Sequence, residues 1–133
     1  MFEERTGTLL CSDLLGQLGD GPALARGDIV GPALESENLW RSMSVTRETV
    51  PTIQRLAALA PRTLAIMHGS SLNNGCPAAL RSFAEGLAQQ PYRAYYARAA
   101  SLYSEAFAAR PALETRHRYN AACAAALAAS ETG

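Results

Sequence analysis

The sequence predicts an α/β fold followed by a helical hairpin, and three observations carry that reading. Two short apolar runs, residues 8–12 and 63–67, have the length and composition of buried strands. Helical spacing fills the segments between and after them, so strand and helix alternate as in α/β proteins. After Tyr92 the pattern changes to two Ala-rich helical stretches separated by Pro111, which reads as an αα-hairpin. The boundary falls near Gln89-Gln90-Pro91, giving an α/β domain over residues 1–90 and a hairpin over 91–133.

The elements follow in order. Thr8-Leu9-Leu10-Cys11-Ser12, entered through the turn-like Arg5-Thr6-Gly7, reads as the first strand. Residues 16–36 are rich in Gly, Pro and Asp and read as a long irregular loop with at most a turn of helix. Glu37 to Ala60 reads as an interrupted helix. Leu39, Trp40 and Met43 share a face in its first piece; Val50, Ile53, Leu56 and Ala57 repeat in the second, with Pro51 tolerated in the first turn. Pro61 ends that helix, Thr63-Leu64-Ala65-Ile66-Met67 forms the second strand, and Asn73-Asn74-Gly75 turns into a helix from Pro77 to Ala88. Tyr92–Arg110 and Arg116–Ala129 form the hairpin. Two strands are too few for a stable sheet, so a third strand or a partner is expected.

Composition narrows the function. Twelve basic residues, all Arg, balance twelve acidic ones, which removes the electrostatic case for a nucleic-acid partner. No run reaches the roughly 20 apolar residues of a membrane span, and no basic-then-apolar leader opens the chain, so a cytoplasmic protein without membrane attachment is expected. Cys11, Cys76 and Cys123 lack CxxC spacing and read as reduced thiols. No G-x-S-x-G elbow surrounds Ser12, Ser70 or Ser71, and the glycines of residues 16–31 match neither a phosphate-binding loop nor a dinucleotide fingerprint. His117, between Arg116 and Arg118, reads as solvated. The five tyrosines, Tyr92, Tyr95, Tyr96, Tyr103 and Tyr119, read as core and rim packing of the helices.

What remains is a polar residue at the end of each strand, Asp13 after the first and His68 after the second. Ligands collect at the carboxyl ends of strands in α/β folds, and carboxylate with imidazole is a metal-binding combination. An Asp after a strand is often a turn former or helix cap and a lone His-Gly often a loop end, and on spacing alone these readings outweigh a metal site.

The segment Met1-Phe2-Glu3-Glu4-Arg5-Thr6-Gly7-Thr8-Leu9-Leu10-Cys11-Ser12-Asp13-Leu14-Leu15-Gly16 resembles the part of metallo-β-lactamase-fold hydrolases that carries the metal-bridging Asp. It is closest to their oxygen-binding, flavodiiron-type branch. Leu64-Ala65-Ile66-Met67-His68-Gly69-Ser70 resembles the later strand and loop with the last His ligand. The resemblance spans residues 1–88 and implies an incomplete αββα half-domain, with Asp13 as bridging carboxylate and His68 as terminal imidazole of a site for two iron or zinc ions. The motif H-x-[HE]-x-D-H is absent, and the two histidines, His68 and His117, both follow Asp13. The resemblance therefore implies a truncated domain, descended from metal-dependent hydrolases or di-iron oxygen-binding proteins and inactive by itself. Its partner would be the missing N-terminal half, another protein or a second copy. In this resemblance Met1 aligns with an internal Met of the family.

Ala99, Tyr103, Ala106 and Pro111 fall at the offsets of the second helix of a tetratricopeptide repeat, and Tyr119-Asn120-Ala121-Ala122 resembles the opening of the next repeat displaced by one residue. This second resemblance implies an alternative function, a non-catalytic module whose helices bind a protein.

Overall fold

The computed structural model describes residues 1–40, 43, 45–90 and 92–129, at 92–95 the backbone alone. It is a mixed α/β protein that divides into two compact units, Met1–Gln89 and Gln90–Gly133.

In the first unit a three-stranded sheet has the order β1-β2-β3, with β1 Phe2–Glu3, β2 Thr8–Ser12 and β3 Thr63–Ile66. The third strand expected from stability is β1, two residues folded back antiparallel on β2 with Phe2 opposite Leu9. Its turn is held locally: the Glu3 carboxylate accepts hydrogen bonds from the Thr6 hydroxyl and from the backbone N–H groups of Thr6 and Arg5. These bonds, the hydroxyl first, hold the Glu3 carboxyl below its ordinary range. The Arg62 guanidinium then ties this turn to the start of β3 by donating to the carbonyls of Thr6 and Arg5, each at 3.0 Å.

β2 and β3 run parallel, pairing Leu9 with Leu64 and Leu10 with Ala65. Parallel neighbours require a long crossover, and it contains helices α1 Val30–Trp40 and α2 Thr49–Ala58. Alternation along the strands buries Leu9, Cys11, Leu64 and Ile66, while Leu10 and the following Met67 stay exposed. The core continues through Ile53 and Ala57 of α2 and Leu80, Phe83, Ala84 and Leu87 of α3 Cys76–Ala88. Those positions recur at three and four, as an apolar helical stripe should.

Helix α1 corrects the reading of residues 16–36 as loop. It begins at Val30, because the Asp28 carboxylate accepts hydrogen bonds from the N–H groups of Val30 (2.8 Å) and Gly31 (3.1 Å). These are two of the donors a helix start leaves unsatisfied. Pro32 lies in the first turn, where its missing N–H costs nothing. The buried face of α1 is Ala33 and Glu37, whereas Leu39 and Trp40 are exposed. Of the apolar face expected of Leu39, Trp40 and Met43, Leu39 and Trp40 are exposed and Met43 is half-buried.

The second unit is α4 Tyr92–Ala109 packed on α5 Ala112–Ala129. α5 starts four residues before the expected Arg116, directly after Pro111, which supplies a turn rather than a longer break. Half-buried Tyr96, Ala99, Tyr103 and Ala106 line one side of α4, and Ala124 is buried on α5. Tyr103 meets Phe107 with ring centroids 5.9 Å apart, an ordinary aromatic contact. Tyr119 departs from the packing expectation: it is 80% exposed. The side chains of Tyr92 and Tyr95 lie outside the described residues. Among the described residues, no helix is long and apolar enough to cross a membrane.

Candidate functional site

Asp13 and His68 occupy the carboxyl ends of the adjacent parallel strands β2 and β3, and the backbone fixes both. Ser12 pairs with Ile66 after a bulge at Cys11, which inserts one residue and bends the strand end. Beyond the sheet, Met67 N–H donates to the Ser12 carbonyl at 3.2 Å and Gln17 N–H donates to the His68 carbonyl at 2.7 Å. Each residue of the pair is therefore bracketed by an inter-segment hydrogen bond. Gly16 N–H closes a tight turn on the Asp13 carbonyl at 3.0 Å. Gln17 adds a side-chain clamp, donating from Nε2 to the carbonyls of Leu15 and Ser70, both at 3.2 Å.

Glycine is required once in this frame. Gly69 follows His68 with φ +107°, and a Cβ there would stand 2.8 Å from the Cβ of Gln17. Two non-glycine residues carry left-handed backbone beside Asp13: Ser12 with φ 53° and Leu15 with φ 65°. Leu15 is held there by complete burial.

The result is an imidazole facing a carboxylate, His68 Nε2 to Asp13 Oδ1, at 3.3 Å, with both side chains 64% exposed. The strand ends named by the sequence thus meet in space. His117, half-buried on α5, belongs to the other unit.

The separation has a chemical meaning. Two donor atoms each about 2.0 Å from one tetrahedral ion lie about 3.3 Å apart, so the pair can serve as two ligands of a single ion. The full dinuclear centre implied by the resemblance does not fit what is present: among the described residues, no three His, Cys, Asp or Glu side chains converge. A catalytic metal generally needs three protein ligands and an open position.

Beside the pair lies a cavity of about 350 Å3. Leu15 and Phe83 supply buried floor, α1 supplies Ala33, Ser36, Glu37 and Trp40, and Asp13 and His68 stand at one side. Glu37 is only 4% exposed, and its carboxylate accepts the Met43 N–H. The sequence reading missed Glu37 and Trp40 as cavity residues because it missed the start of α1. The available signal was Asp28 two residues before Val30, followed by a register that puts Ala33 and Glu37 on one face.

Compared with protein-family models, curated proteins and solved structures, the chain matches none of them.

Proposed function

We propose that residues 1–90 are the C-terminal half of a metallo-β-lactamase-like αββα domain, and that Asp13 and His68 are two ligands of a metal site completed by another polypeptide segment. The chain alone is not catalytic in this reading; its chemistry is that of metal-dependent hydrolases or di-iron oxygen-binding proteins, from which it descends. The observation that supports it is the 3.3 Å approach of His68 Nε2 to Asp13 Oδ1 at the ends of neighbouring parallel strands. The bulge at Cys11 and the left-handed backbone at Ser12 and Leu15 add weight, because such features concentrate where a side chain must be aimed.

Zinc titration of the chain, read against a chromophoric chelator, tests the reading. A complete structural site binds zinc with about 10–16 kcal/mol, so two of four ligands supply roughly half, a Kd on the order of 1–200 μM. One zinc per chain is expected, lost in the Asp13→Ala, His68→Ala double variant and retained in His117→Ala. Zinc binding that survives the double variant, or that is absent from the folded chain, overturns the proposal.

A second reading, a non-catalytic tetratricopeptide-like interaction module in residues 91–133, is favoured by Tyr119 and Leu102, large apolar side chains left exposed on the hairpin.

A further inference from the structure

We propose that the cavity beside Asp13 binds a small organic ammonium ion with an aromatic or branched apolar body. Three features define that occupant. The lining is largely apolar: fully buried Leu15 and Phe83 with Leu18, Ala33 and the exposed Trp40, beside the polar Gln17, Ser36 and Glu37. A cavity of about 350 Å3 lies at the small end of the range for ligand pockets, suited to a body of one ring. At its side stands the Asp13 carboxylate; its Oδ1 faces His68, while no described residue engages its Oδ2.

An ammonium group at the open carboxylate oxygen gains a charge-assisted hydrogen bond, and its apolar body fills the space lined by Leu15, Phe83 and Trp40. Ser36, also lining the cavity, offers a hydroxyl that accepts a second N–H. A carboxylate-headed molecule of the same shape keeps the apolar contacts but meets like charge at Asp13 and loses the head-group hydrogen bond. The inference does not depend on bound metal, because it uses the carboxylate and the apolar walls alone.

Trp40 is the single tryptophan of the chain, so its emission reports the cavity directly. The test titrates the full chain with phenethylamine, and separately with 3-phenylpropionate, in EDTA at about pH 8. A body of this size binds with a Kd of order millimolar. The expected result is a saturable change in Trp40 emission with phenethylamine, at least tenfold weaker with 3-phenylpropionate. Asp13→Asn should abolish the preference with the far-UV circular dichroism unchanged. His68→Ala, which frees Oδ1, should keep or tighten amine binding, although the same variant weakens zinc binding if the metal reading holds. Equal binding of the two probes, a preference unchanged in Asp13→Asn, or no saturable response from the folded chain overturns the inference.

Discussion

Replacing Gly86 by Ala tests how α1 is held, and with it the cavity wall that carries Trp40. Gly86 lies inside α3, where Ala would ordinarily gain about 1 kcal/mol in helix propensity. The structure opposes that gain. A Cβ at position 86 would stand 2.4 Å from Leu34 Cδ1, 3.0 Å from Cδ2 and 3.2 Å from Cγ. Carbon atoms prefer about 3.5–4.0 Å, so the whole isopropyl group of Leu34 must retreat by about 1 Å. Overpacking of this kind costs about 1–3 kcal/mol, and the net expectation is a loss of about 1 kcal/mol. Shortening Leu34 to Ala removes the obstacle, and Gly86→Ala should then stabilise by nearly its full propensity gain. Urea unfolding of the parent, both single variants and the double variant, followed by Trp40 emission, gives the four midpoints at a common slope. The expected coupling is about 1–3 kcal/mol. Effects that add within about 0.4 kcal/mol, or a stabilising Gly86→Ala in the parent chain, would refute the close packing of α1 on α3.

Two further outcomes follow from single residues. Asp28→Ala leaves the N–H groups of Val30 and Gly31 without their carboxylate and should cost about 1 kcal/mol in the same urea experiment, with Asp28→Asn recovering most of it. Burial pushes the Cys11 thiol up to about 11 and raises that of Cys76, so alkylation at about pH 8 should modify half-buried Cys123 first, as peptide mapping would show. The sign for stability follows: the folded chain holds the Cys11 proton more tightly than the unfolded one, so stability falls as pH rises from about 9 to about 11.

Much of this arrangement was legible in the chain. The two strands and α3 stand within a residue or two of where periodicity puts them, because each apolar run ends against Gly, Pro or Asn punctuation. Asp13 and His68 were legible for the same reason, since the last residues of parallel neighbours share an end of the sheet. β1 was not, because two residues carry no alternation to read, and its stability comes from the turn bonds to Glu3. α1 was hidden by Gly31 and Pro32, residues that break helices in the middle but are harmless in a first turn capped by Asp28. Glu37 was hidden by its charge. A carboxylate reads as solvent-facing unless something satisfies it, and the Met43 N–H that does so is six residues away.

The energetics of the pair also bear on why it exists. An ion pair as exposed as Asp13 and His68 contributes less than about 1 kcal/mol, so it cannot be what holds the two strand ends together. The backbone bonds from Met67 to Ser12 and from Gln17 to His68 do that, together with the burial of Leu15. The local backbone runs against stability: Ser12 and Leu15 both adopt left-handed conformations that cost about 1–2 kcal/mol each outside glycine. At Leu15 complete burial offsets that cost, whereas the exposed Ser12 has no such compensation and a glycine at φ 53° would relieve its strain. Two of the three left-handed non-glycine residues, Ser12 and Leu15, lie within two residues of the exposed carboxylate, the third being Ala60 after α2. That distribution of cost is the physical argument for treating the strand ends as a site, whichever occupant the zinc and amine titrations assign to it.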